Sequence, residues 1–199
     1  LSHVPELFLG ECGLEKDRMY LVEVEQQKSI LIALAAQNLP IEFAPGGSGA
    51  NTMIGIAQLG GRTAFTGKVG QDEYGDSYRD GLEAQGVKSC LGAGPGTTGS
   101  SLILVTPDAA RTMNTHLGMC QQLEAADLDL EALRSSRYLY VTGYLWDTDT
   151  QKEAVRHALA KAKEFGVRVS LSLSDPFCVN RHRSDFIELL RESVDLVFC

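Results

Sequence analysis

Hydrophobic and polar positions follow two periods along this chain, and the period changes repeatedly. Residues 19–24 alternate as a short strand, and 26–38 place Ile30, Leu31, Leu34 and Ala35 on one side of a helix. Residues 41–43 read as short and extended before Pro45-Gly46-Gly47 breaks the chain. A helix is predicted over 50–59, closed by Gly60-Gly61, then a strand over 63–69 and a helix over 74–85 ended by Gly86. The cluster Gly92-Ala93-Gly94-Pro95-Gly96 reads as a turn leading into a buried strand over 101–106. Pro107-Asp108 turns the chain, and 111–115 reads as the return strand. Strands follow at 138–142, 167–173 and 194–198. The helices between them are 150–165, with Ala154, Val155, Ala158, Leu159, Ala162 and Phe165 on one face, and 184–192.

Short, apolar, β-branched strands alternating with helices predict an α/β fold, a parallel sheet covered by helices. The stretch before Pro45 and the hairpin around 98–115 fit that scheme less well and are expected to form a small extra sheet, a lid. Leu1 enters without a preceding strand, and the last predicted strand runs to the final residues. Ligands in open α/β sheets gather in loops beyond strand C-termini, so the pattern predicts a chain cut short.

Composition narrows the function. The 199 residues suffice for one sizeable core, and 44% hydrophobic with 22% charged residues is ordinary for a globular protein. A formal net charge of -8 argues against general nucleic-acid binding, which needs a basic face. A phosphate-bearing ligand stays compatible, because a few local donors hold one. No apolar run approaches the ~20 residues of a membrane span, and no basic-then-apolar leader opens the chain; no membrane partner is expected. The five cysteines are scattered, with no C-x-x-C spacing, which predicts reduced thiols in a cytoplasmic protein. His3, His116, His157 and His182 share no metal-ligand spacing, so no metal site is expected among these residues. No Ser/His/Asp or Cys/His set supports hydrolase chemistry.

The strongest local signal is Pro45-Gly46-Gly47-Ser48-Gly49-Ala50-Asn51-Thr52 opening a helix. Glycines admit positive φ and close ligand approach, and helix-start N–H groups suit an anion or a hydroxyl-rich ligand. An ordinary glycine-rich connection with Asn51 solvated is the alternative. The dinucleotide fingerprint fails because Thr52 stands where a third glycine is needed, and no Gly-Lys-Ser/Thr ends a P-loop. Further on, Thr66-Gly67-Lys68-Val69-Gly70-Gln71-Asp72-Glu73-Tyr74-Gly75 reads by itself as strand, turn and helix cap.

Taken in order, Gly46 to Asn51, Leu59-Gly60-Gly61 and Gly67 to Gly75 resemble the N-terminal signature of the PfkB (ribokinase-like) carbohydrate kinase family. The likeness continues at Gly86-Val87, Thr98-Gly99, Arg111-Thr112-Met113-Asn114-Thr115, Leu117-Gly118, Gly143 to Asp147, Asp175-Pro176-Phe177 and Val194 to Phe198. In wording it is most similar to adenosine-kinase-like bacterial members, including Ser48 where ribokinases usually carry Lys.

The resemblance implies a doubly wound, Rossmann-like sheet with a small β lid, and transfer of the γ-phosphoryl of ATP, with Mg2+, to a hydroxymethyl group of a sugar or nucleoside. It divides the chain into lid pieces at about 14–46 and 97–116 and an α/β core at about 47–96 and 117–199. Gly46-Gly47 resembles the hinge-and-substrate loop; Gly47, Ser48 and Asn51 would hold substrate hydroxyls, and Arg111 would approach the transferred phosphate. A solvated arginine in a hairpin is the alternative reading of Arg111. Asp175 follows a strand but is not taken as the base, because the family base lies in a G-A-G-D motif that this chain does not contain. The family's N-x-x-E motif would begin after Cys199, and its first strand with a substrate-binding Asp would precede Leu1. The chain is therefore expected to be a partial kinase domain, inactive alone, with uncovered apolar edges that favour association, including a homodimer through the lid. Ala109-Ala110 stands where relatives usually read Gly-Glu, and Thr142 where many carry Glu. A non-catalytic ligand-binding or regulatory protein of the same fold is the rival reading; a nicotinamide oxidoreductase is disfavoured by the missing glycine.

Overall fold

In the computed structural model, which describes residues 1–199, the first half of the chain holds β1 (Ser2–His3), α1 (Glu6–Glu11), β2 (Met19–Leu21), α2 (Val24–Ala36), α3 (Ser48–Gln58), β3 (Thr63–Gly70), α4 (Glu73–Ala84) and β4 (Val87–Gly94). The hairpin β5 (Ser100–Val105) and β6 (Arg111–His116) follows, then α5 (Leu130–Arg134), β7 (Tyr138–Thr142), α6 (Asp149–Phe165), β8 (Arg168–Ser172), α7 (Pro176–Glu192) and β9 (Leu196–Phe198). The result is a mixed α/β fold with parallel sheets.

A small four-stranded sheet has the order β1-β5-β6-β2, with an antiparallel centre and parallel outer pairs. Strand alternation gives it two unlike faces. Leu102 and Leu104 point to one face, where Phe8, Leu9, Ile30 and Leu34 of α1 and α2 cover them. Ile103, Met113 and Met19 are cross-strand partners in one row, whose side chains take the other face. This sheet begins earlier than the sequence pattern indicated, because Ser2 and His3 pair with Leu104 and Val105. A two-residue strand has no periodicity of its own and is defined only by its partner.

The remaining strands form two parallel pieces, β3-β4 and β7-β8-β9. α3 packs across both; a side chain at Gly49 would meet Phe65 of β3 at 3.3 Å and Thr142 of β7 at 3.6 Å. The main core lies under the second piece, where Val155, Leu159 and Ala162 of α6 meet Val141, Val169 and Leu171, with Trp146 and Phe186 closing the end. α6 is capped by the Thr148 hydroxyl at its start and by Gly166 in the left-handed conformation at its end.

Two predicted boundaries are corrected. The glycines 92 and 94 do not form a turn but finish β4, pairing with Lys68 and Gly70. Both positions are crowded: a Cβ on Gly92 would overlap the Asp127 carboxylate, and one on Gly94 the Met119 methyl. α7 starts at Pro176, eight residues before the predicted 184, with Asp175 as its N-cap. Its period is broken at His182, whose φ of -121° and ψ of 23° mark a kink.

Candidate functional site

Gly46, Gly47, Ser48 and Asn51 come together where the chain leaves the small sheet and enters α3. Gly47 is the N-cap residue at φ 94°, a conformation that L side chains rarely adopt. No side chain caps this helix, and its first intrahelical bond runs from the Asn51 amide to the Gly47 carbonyl at 2.9 Å. The initial N–H groups, with the positive end of the helix dipole, therefore stay directed at whatever approaches. Ser48 and Asn51 are exposed, as are both glycines. The contact of Gly49 with Thr142 sets this helix start beside the C-terminal end of β7, the edge where open α/β sheets place ligands.

Asp72 holds the second crossing between the small sheet and the rest. One of its oxygens accepts from the Gly75 amide at 2.8 Å, capping α4, and the other accepts from the Thr98 amide at 2.8 Å. The Thr98 hydroxyl donates to Asp72 at 2.5 Å and accepts from the Gly70 amide at 2.9 Å. Burial opposes ionisation of Asp72, but the Thr98 and Gly75 donors outweigh it and hold the carboxyl below its usual range. A side chain on Gly70 would overlap the Gly96 carbonyl, a backbone atom, so the crossing needs glycine at that position. The cap reading of Asp72 stands; its bond across 26 residues to Thr98 was invisible in the pattern.

Arg111 stands apart from that helix start, with no hydrogen bond to it. It opens β6 opposite Val105, exposed, on the face that also carries Met113. The turn beside it is stiff: Thr106 and Ala110 both donate to Asp108, and Ala109 has φ 65°.

Beyond the C-terminal ends of β7 and β8, Asp175 accepts from the Cys178 amide at 2.7 Å and from the Tyr144 hydroxyl at 3.0 Å. Burial opposes its ionisation, and these donors outweigh burial, keeping the carboxyl below its ordinary value. Burial, with Asp175 adding, pushes the Tyr144 phenol up to about 12. Asp175 is thus an ionised cap, poorly suited to take up a proton. Asp147 nearby accepts from Arg181 at 2.8 Å and His182 at 3.0 Å.

Sequence comparison decides the family: residues 20–199 match the description "pfkB family carbohydrate kinase". The chain belongs to the pfkB family. Over 98% of its length this pfkB chain superimposes on 60% of the adenosine kinase from Sinorhizobium meliloti, with 38% identity and a TM-score of 0.81. A probable sugar kinase from Rhizobium etli CFN 42 gives 36% identity and a TM-score of 0.83, over 99% of this chain and 59% of that one. "Probable fructokinase-6, chloroplastic" of Arabidopsis thaliana is 32% identical over 131 residues, 64% of this chain and 34% of that protein. The pfkB chain therefore spans less than two thirds of each relative's own length.

Proposed function

We propose that this chain is part of an ATP-dependent phosphotransferase acting on the hydroxymethyl group of a nucleoside, adenosine-like, or of a sugar. The observation that carries the reading is the uncapped start of α3 at the Gly46-Gly47 crossing, in a family of carbohydrate kinases. ATP would supply the γ-phosphoryl group; the acceptor oxygen forms the new P–O bond, ADP leaves, and the acceptor proton is released. Ser48, Asn51 and the amide end of α3 would bind acceptor hydroxyls and fix that oxygen. The small sheet would act as the lid, bringing Arg111 towards the charge that develops on the transferred group. No residue of this chain is assigned as base. Mg2+ would accompany ATP in this reading; no three His, Cys, Asp or Glu residues stand together as ligands here, and no residue of this chain is assigned to hold it.

The adenosine preference is supported by the 38% identity to the Sinorhizobium meliloti adenosine kinase. The open face of the small sheet, with Met19 and Leu21 exposed on its edge strand, would close over the acceptor or meet a second copy. Five free cysteines fit a reducing, cytoplasmic setting, and no helix is long and apolar enough to cross a membrane.

Calorimetric titration with adenosine and with fructose tests the site. One of the two should bind, and Ser48→Ala and Asn51→Ala should each weaken it by about tenfold, the worth of one hydrogen bond. Binding that ignores both substitutions would remove α3 from the site.

A further inference from the structure

We infer that Tyr78 is the positioning residue of the Gly46-Gly47 loop, fastening it to α4 and so fixing where the start of α3 points. The fastening stands on geometry alone; its effect on a ligand rests on the phosphotransferase reading.

The Tyr78 hydroxyl donates to the Gly46 carbonyl at 2.9 Å, immediately before the positive-φ residue Gly47. Two further contacts come from the same side of α4, since positions 74, 78 and 81 lie one turn apart. Phe43 stacks on Tyr74 with ring centroids 6.0 Å apart. Pro45 lies on Gly81, where an added Cβ would approach the proline ring to 3.1 Å, so the glycine leaves the ring its seat. Three of the five residues from 43 to 47 are thereby tied to one helix face.

The same phenol also reaches the far side of the loop. Its ring meets Phe65 edge-on at 6.2 Å, and Phe65 is the ring against which Gly49 abuts. Tyr78 thus brackets Gly47, holding the carbonyl before it by a hydrogen bond and the helix turn after it through Phe65. Burial, with Cys120 adding, pushes the phenol's pKa far up, so the donor stays protonated across the physiological range. A side chain that only filled space would need the ring and not the hydroxyl.

Tyr78→Phe keeps the ring and deletes the donor; Gly81→Ala disturbs the same loop from the Pro45 side without touching the phenol. Hydrogen exchange by mass spectrometry on the 199-residue chain reads the peptide covering 43–52 against reference peptides in α6 and β8. Tyr78→Phe should speed exchange in 43–52 by about threefold to tenfold, the effect of one lost hydrogen bond on local opening, with α6 and β8 unchanged. Gly81→Ala should speed the same peptide. Adenosine and fructose titrations should show the ligand weakened by a similar factor in Tyr78→Phe, with the melting temperature lowered by only about 1–5 °C. Exchange in 43–52 equal to wild type in both variants overturns the inference, as does faster exchange throughout the molecule, which would make Tyr78 a packing residue. A loosened loop with unchanged ligand affinity also overturns the positioning role. A loosened loop in a protein that binds neither compound leaves the fastening established and sinks instead the reading of the α3 start as a site for these acceptors.

Discussion

Replacing Asp72 by alanine removes the acceptor on which the second crossing depends. Loss of the cap on the Gly75 amide costs about 1 kcal/mol, a typical N-cap value. Thr98, only 6% exposed, loses the partner of its amide and of its hydroxyl proton, adding about 1–2 kcal/mol for buried donors left without an acceptor. The sum, about 2–3 kcal/mol, corresponds to a melting temperature lowered by about 5–10 °C for a chain of this length. Thermal unfolding followed by circular dichroism at pH 7 measures it. A pH series adds a second, signed test. The folded carboxyl lies below its ordinary value of 3.8, so the stability that this shift contributes is complete above that pH and is lost as pH falls through the folded pKa. The gap between wild type and Asp72→Ala should therefore be constant from pH 7 down to about 5 and narrow in more acidic solution. In combination with Thr98→Val, the two losses should fall well short of additive, because they break one network. A melting temperature within 1–2 °C of wild type by that conversion would refute the reasoning, as would a gap that does not narrow in acid.

Substitutions at the Lys68–Asp127 pair, at Ala109 and at Arg111 test separate parts of the molecule. Lys68 and Asp127 form a 3.0 Å ion pair with side chains only 10% and 13% exposed, so Lys68→Ala should cost about 3 kcal/mol in chemical denaturation, while Lys68→Met with Asp127→Leu should cost much less. Ala109→Gly should raise the melting temperature by about 1–3 °C, because Ala109 occupies φ 65°, where an L side chain is penalised by about 1–2 kcal/mol. Arg111→Ala should leave stability within about 0.5 kcal/mol, as expected of an exposed side chain, while lowering acceptor-dependent turnover of an active form by about 10²- to 10³-fold, the worth of one positioned charge.

What could be read from the sequence was what repeats locally. The 3.6 period of α6, the apolar run of β5 and the glycine-led start of α3 were each visible within a dozen residues, and with them the α/β class. Elements defined by distant partners were not visible. β4 ends in glycines that look like a turn until Asp127 and Met119 are placed against them. β1 is two residues whose pairing with β5 lies about a hundred positions away. α7 hid its first turns behind Pro176 and the kink at His182. The site divided in the same way. Gly46, Gly47, Ser48 and Asn51 announce a helix start, whereas the roles of Tyr78 and Asp72 depend on Gly46 and Thr98, which reach them only through folding. Arg111 stood out through its motif, and the structure gives it an exposed place on the small sheet without a contact to the α3 start.

The most direct test of phosphotransfer is ADP release from MgATP, measured across adenosine, ribose and fructose with the longest reading frame that contains these residues. The account predicts acceptor-dependent ADP release with at least one of them, adenosine first, and its loss in Arg111→Ala. A folded protein that releases no ADP in response to any acceptor would contradict it.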